Sequence, residues 1–182
     1  MRKNVKKQLA LRVLSTAALM AMVSSIATAA FAEEYDLNKG SVTVETKDNG
    51  NTYVTQANTE TTDHLDTTGV TITSNGEETS NTITVETAKD QTTNVTLQDV
   101  NIKEDQWSGG AAMTIKGKGD AEIELNGDNT LISGNHHAGL EKAGDVSQGS
   151  LTIKDDKNND GSEKAKDEDG DIGTLIAAGG YD

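Results

Sequence analysis

One stretch of the chain has the spacing to hold a hard cation. The segment Asp155–Asp171 contains eight acids and three lysines. Within it Asp156, Asn158, Asp160, Gly161 and Asp167 stand at positions 1, 3, 5, 6 and 12 of a calcium loop. Alternating oxygen ligands about a turn-forming glycine let one segment wrap Ca²⁺, which accepts irregular oxygen shells. Two features depart from the pattern: position 12 is Asp167 rather than the longer bidentate Glu, and position 8 is Glu163 rather than an aliphatic residue. No helical pattern flanks the loop. A calcium site on Asp156, Asn158, Asp160 and Asp167 therefore stands beside a second reading, a solvated acidic insertion.

Two other groups have chemistry to offer. Trp107, in Glu104-Asp105-Gln106-Trp107, presents an indole among polar neighbours, which suits either a sugar-stacking platform or a cover over a chain corner. His136 and His137 are adjacent, so on a strand or turn their rings diverge. With no cysteine in the chain and no third histidine nearby, a polar turn explains them better than a transition-metal site. Catalysis finds no motif. G-x-S-x-G, H-E-x-x-H and a phosphate-cradling glycine loop before a helix are all missing. Carboxylates are so abundant that a pair at glycosidase spacing carries no information.

Charge narrows the partners. Five of the 16 bases (Arg2, Lys3, Lys6, Lys7, Arg12) fall in the first 32 residues, leaving 11 bases against 30 acids, a net charge of −19, over residues 33–182. Such a surface excludes nucleic-acid binding by phosphate neutralisation and polybasic membrane binding. The basic start runs into an apolar stretch, Val13 to Val23, and small residues follow to Ala30-Phe31-Ala32, an A-x-A pattern before Glu33. This is the layout of a cleavable secretory signal peptide over residues 1–32. It predicts a secreted or cell-surface protein with no membrane insertion after signal removal.

The elements that must position these residues are strands. Leu, Ile, Val and Phe make up only 25 of residues 33–182, a composition that on its own predicts disorder. Their order predicts otherwise. Val42-Thr43-Val44, Val70-Thr71-Ile72, Ile83-Thr84-Val85, Val95-Thr96-Leu97, Met113-Thr114-Ile115, Ile123-Glu124-Leu125 and Leu151-Thr152-Ile153 alternate apolar and polar residues, and Gly, Asn and Asp fill the gaps. Period two with β-branched residues marks short half-buried strands. The triplets at Val95, Ile123 and Leu151 begin 28 residues apart twice over. Three short strands per ~28-residue period predict an all-β, right-handed parallel β-helix (a β-solenoid), in preference to a hairpin meander.

The stretches Asn94–Ile102, Ala121–Leu131, Ser133–Gly144, Gly149–Ile153 and Gly173–Gly180 together resemble secreted, adhesin-like repeat proteins of Gram-positive gut bacteria. They also resemble the parallel β-helix, pectate-lyase-like carbohydrate-binding domains of clostridial cellulolytic bacteria. The resemblance covers roughly residues 68–182. It implies a non-catalytic carbohydrate-binding or adhesin-like module whose partner is a polysaccharide or a host or cell-surface glycan, with Trp107 as the ligand-binding residue. A structural stalk within a larger surface protein is the alternative, and a β-helix polysaccharide lyase a minor one. Lyases of that fold need a basic catalytic residue, and arginine is absent from residues 33–182. The implied organisation is a signal peptide (1–32), a partly ordered N-terminal strand and cap (33–67), and repeats (68–182) interrupted by the acidic insertion 155–171. In such families further glycine-rich repeats follow the Gly-Gly segment, so the resemblance implies a truncated chain.

The calcium reading has a direct test. A site with millimolar affinity adds about 0.7 kcal/mol of stability in ~2 mM calcium and about 1.8 kcal/mol in ~20 mM. Calcium is expected to raise the melting temperature in a titration to that range, beyond the effect of magnesium or of sodium chloride at equal ionic strength. The double substitution Asp156→Ala with Asp160→Ala is expected to remove the difference. Equal shifts from calcium and from matched salt would assign the loop to solvent.

Overall fold

The alternating triplets form strands in the computed structural model, which describes residues 32–107, 110–143, 148–155 and 172–180. One sheet places β1 (Glu33–Asp36), β5 (Val70–Thr73), β8 (Thr92–Gln98), β11 (Asp120–Asn126) and β14 (Leu151–Lys154) side by side, every pair parallel. A second runs β13 (Leu140–Lys142), β10 (Met113–Gly117), β7 (Ile83–Thr87), β2 (Val42–Thr46), β3 (Thr52–Gln56) and β4 (His64–Asp66). It is parallel as far as β2 and antiparallel through β3 and β4. The third holds β15 (Thr174–Ala178), β12 (Asp128–Ile132), β9 (Asn101–Lys103) and β6 (Glu78–Thr79), all parallel. A single 3₁₀ turn, Leu37–Lys39, follows β1. Among the described residues no helix is long and apolar enough to cross a membrane.

This corrects part of the expectation from sequence. The chain is all-β, but its strands make three separate, mostly parallel sheets rather than the closed right-handed parallel β-helix with a ~28-residue coil. Two physical reasons account for the difference. First, the step between paired strands is not constant. In the first sheet Val70 pairs with Val95, Val95 with Ile123, and Ile123 with Ile153, so successive steps are 25, 28 and 30 residues. The 28-residue spacing had set Ile123 against Leu151, two places away from the observed pair. A slip of two keeps every side chain on the same face, so hydrophobic alternation cannot detect it. Second, the turn at Lys47–Asn51, with Gly50 at φ 79°, reverses the chain into the antiparallel hairpin β2–β3. A parallel repeat has no place for that hairpin.

The inward residues form one core. Val42, Ile83 and Met113 stack in register in the second sheet, as do Val44, Val85 and Ile115, and all six are buried. Ile72, Leu97 and Leu125 stack in the first sheet, and Ile102 and Leu131 in the third. Tyr35 joins them at 3% exposure. Burial, with the negative charges of Glu33 and Asp66 beside it, pushes its phenol up from the ordinary range and keeps it neutral.

Where the chain leaves one sheet for the next, polar groups are paired inside. Thr46 and Thr87 share a register position, and Thr93 Oγ1 lies 2.7 Å from the hydroxyl of each. The next position in that row is Gly117, at φ 95°, where a Cβ would stand 2.2 Å from the Thr87 carbonyl oxygen. A side chain cannot be accommodated there. Asp120 ties the last strand of the first sheet to its neighbour. Its carboxylate accepts from the Ser150 hydroxyl at 2.8 Å and the Ser150 N–H at 2.7 Å.

Two predictions follow from this packing. Leu97→Ala removes a fully buried side chain from the middle of the first sheet and is expected to cost about 2–5 kcal/mol. Thr96→Ala, on the opposite face of the same strand, should cost under about 0.5 kcal/mol by chemical denaturation. For Asp120, the bonds from the Ser150 hydroxyl and then its N–H hold the carboxyl below its ordinary range. A depressed folded-state pKa contributes stability that is present above the unfolded value, about 3.9, and is lost as pH falls through the folded value. The drop in melting temperature on acidification from about pH 5 to pH 2 is therefore expected to be shallower in Asp120→Asn than in the parent.

Candidate functional site

Three connections run from the third sheet to the second. Residues 80–82 join β6 to β7, residues 104–112 join β9 to β10, and residues 133–139 join β12 to β13. Trp107 lies in the second of these and His136 and His137 in the third, so the strand order places them on adjoining loops. The loops are bonded to each other. Asn135 N–H donates to the Gln106 carbonyl at 3.2 Å, and Gly134 N–H to the Gly110 carbonyl at 3.1 Å. Trp107 is 82% exposed, and its own N–H is held by Asp105 Oδ1 at 3.1 Å in a local turn. It does not cover the core.

The 133–139 loop also borders a cleft of about 400 Å³, walled on one side by His136, His137 and Leu140 and on the other by Ala177, Gly179 and Gly180. Backbone packing builds the two walls. Gly139 lies so close to the Leu131 carbonyl oxygen, and Gly180 to that of Gly134, that a Cβ at either would come within 2.2 Å of it. Ser133, 3% exposed, fixes the floor. Its hydroxyl donates to the His137 carbonyl at 2.5 Å and accepts from the Gly180 N–H at 3.0 Å, while its N–H donates to the Ala178 carbonyl at 3.1 Å. His136 takes a left-handed backbone conformation, φ 65°, which sends the two histidines in different directions.

His137 Nδ1 lies 2.9 Å from Glu141 Oε2. A carboxylate only accepts, so Nδ1 carries the proton and, in the neutral ring, Nε2 remains an acceptor. Asn135 Oδ1 is buried without a hydrogen-bond partner in the same loop. These adjoining loops thus carry an exposed aromatic face on one and, on the other, an oriented imidazole at a half-open polar cleft. Groups of these kinds suit a polar ligand with one apolar face.

Of the residues singled out from sequence, Trp107 stands at this corner. Asp156, Asn158, Asp160 and Asp167, the calcium ligands expected from sequence, lie outside the described residues. In sequence they fall between β14 and β15. Among the described residues no group of three His, Asp or Glu side chains converges as a metal site. Ser133, Glu141 and Gly180 were not legible as site residues. Ser133-Gly134-Asn135 read only as a turn, and the approach of Gly180 to it depends on strand pairing across 45 residues, from Ser133 to Ala178. Compared with family models, curated proteins and solved structures, the chain has no match.

Proposed function

We propose that this protein is a non-catalytic glycan-binding module that acts outside the cell, in the manner of the adhesin-like surface proteins its sequence resembles. Trp107 is its stacking platform, and the His136–Leu140 cleft supplies its polar contacts. The observation that carries this reading is the exposure of the indole. The fold buries Tyr35 almost completely yet leaves its one tryptophan 82% in water, on a loop held in place from both sides. An indole face stacks on the C–H face of a sugar ring, while neighbouring polar groups bond its hydroxyls. A strongly acidic surface fits a neutral saccharide better than a polyanion, which it would repel. The sequence pattern of the first 32 residues supports export, and the −19 charge beyond them supports a solvated surface role.

Affinity electrophoresis or calorimetry against a panel of neutral polysaccharides and glycans tests this reading. Trp107→Ala is expected to weaken binding about ten-fold or more, equivalent to about 1.4 kcal/mol. Its melting temperature should match the parent's, because the side chain packs on nothing in the core. His137→Ala should produce a smaller loss. A parent that binds no glycan, or a Trp107→Ala variant that binds as tightly as the parent, would leave the structural stalk as the better account. A rise in absorbance near 235 nm on incubation with acidic polysaccharide would indicate the lyase alternative.

A further inference from the structure

The corner where β1 meets β4 and β5 holds two carboxylates around a buried phenol. Glu33 and Tyr35 share one face of β1, and Tyr35 sits in the field of the Glu33 and Asp66 charges. Asp66 is 8% exposed. Its Oδ1 is engaged, accepting from the Thr68 N–H at 2.9 Å and the Gly69 N–H at 2.7 Å. Its Oδ2 is buried, and among the described residues neither it nor Tyr35 Oη has a partner at hydrogen-bonding geometry. His64 Nε2 lies 3.0 Å from Glu33 Oε2, but an imidazole is positive only when protonated. A buried carboxylate oxygen without a donor is costly, so this corner calls for a further donor or a positive charge.

The sequence offers one. Ala30-Phe31-Ala32 is the expected cleavage pattern, and β1 begins with the very next residue, Glu33. The Glu33 N–H donates to the Gly69 carbonyl at 3.0 Å, and the same Gly69 gives its own N–H to Asp66. The nitrogen that a cut after Ala32 would free is therefore already anchored on the residue that the Asp66 carboxylate holds.

We infer that the Ala32–Glu33 bond is a maturation site whose product, the α-ammonium of Glu33, is the cation this acidic corner holds. The inference rests on the export reading of residues 1–32. Hydrolysis places the hydroxyl of water on the Ala32 carbonyl carbon and its hydrogen on the Glu33 nitrogen. The new carboxyl then releases a proton and the amine takes one up. In the uncut chain this nitrogen is a neutral amide with a single hydrogen, engaged by Gly69. As an ammonium it has three, so one stays on the Gly69 carbonyl while the charge and two donors serve the Asp66 and Glu33 carboxylates. Residues 33–36 pair in register with 70–73 in the folded chain, so the cut comes before β1 docks. Export thereby completes the first strand as well as releasing the protein.

Two measurements test the cut and the charge separately. The full chain is expressed in a bacterial host with a Sec export route, and the intact mass of the product is read. It is expected to begin at Glu33. A product that keeps residues 1–32, or begins elsewhere, overturns the cut and the export reading with it. The charge is tested on residues 33–182, which contain every core residue described. One sample has a free α-amine; in the other that amine is acetylated in urea near pH 6.5, where lysines stay protonated, before refolding. The acetyl form keeps the N–H for Gly69 and loses only the charge. At pH 6.5 the free form is expected to melt about 2–4 °C higher. Neighbouring carboxylates raise the pKa of an ammonium. Its contribution is therefore present below the unfolded value, about 7.7–8.0, and is lost as pH rises through the folded value. The titratable groups facing it are Glu33 and Tyr35 on β1 and His64 and Asp66 on β4, while β5 has none. Both samples carry these groups, so their own titrations cancel in the difference. Asp66→Asn keeps an oxygen for Thr68 and Gly69 and is expected to halve the difference or more, which a merely structural role for Asp66 would not do. Equal melting of the two samples at pH 6.5, or a difference untouched by Asp66→Asn, overturns the inference even where the mass bears out the cut. Should Asp66→Asn lose the parent's far-UV spectrum, Glu33→Gln takes its place with the same expected effect, since that side chain is 45% exposed.

Discussion

Parallel pairing between strands 23 to 46 residues apart is the interaction on which the rest of this structure depends. No strand here buries an apolar face against its sequence neighbour by a tight turn, apart from the hairpin formed by β2 and β3. Apart from the antiparallel pair β3–β4, every other ladder among the described residues joins segments that the chain reaches only after passing through another sheet. The closure entropy of such a contact grows slowly with separation, so a step of 30 costs little more than one of 25. Variation in step length is therefore tolerated, provided the ladder itself stays in register. The cost falls on the corners instead, where each passage between sheets must bring backbone against backbone.

Those corners show how the requirement is met in a chain with so few large apolar residues. Asn129, 1% exposed, donates through its side-chain amide to the carbonyls of Asn126, at 3.0 Å, and Thr174, at 3.1 Å, and accepts from the Val100 N–H at 3.1 Å. One side chain thereby pairs backbone groups from three successive passages between the first and third sheets. At another corner the threonine hydroxyls of Thr46, Thr87 and Thr93 bond to one another, and at the third Ser133 Oγ pairs the His137 carbonyl with the Gly180 N–H. Buried polar groups that are fully bonded rigidify a fold and specify its register, whereas aliphatic side chains alone permit slips. The low content of Leu, Ile and Val is compatible with order because side chains bond backbone groups at these corners. The composition argument for disorder counts only apolar area and misses them.

The parts of this structure that were legible in the sequence are those with local causes. Alternation at Val42–Val44, Ile83–Val85 and Val95–Leu97 marks strands because each inward residue must skip one, and all six of these residues are buried. The sheet arrangement was not legible, because register depends on which strand lies beside which. The pairing of Met113 with Leu140, a step of 27, and of Ile123 with Ile153, a step of 30, averages to something close to a regular period without being one. Trp107 was legible as a candidate since a lone tryptophan in a polar segment has few roles. Its cleft was not. The opposing wall comes from Ala177–Gly180, and no spacing rule connects those residues to His137.

The same logic explains where binding chemistry can sit on such a molecule. Strand positions are committed, with inward residues to the core and the backbone to the ladder. Two passages from the first sheet to the third are short, residues 99–100 between β8 and β9 and Gly127 alone between β11 and β12, and they are occupied by corner bonds. Between the third sheet and the second, the passages at 104–112 and 133–139 have length to spare. The cleft lies between the 133–139 passage and Ala177–Gly180, and the 104–112 passage is bonded to the same 133–139 loop. Bonds such as Asn135 N–H to Gln106 O and Gly180 N–H to Ser133 Oγ then hold that cleft as firmly as the sheets are held. A site built this way is largely preformed, so its ligand bears little ordering cost, and its specificity rests on which side chains the two long passages carry. Trp107 and His137 are the side chains this sequence places there.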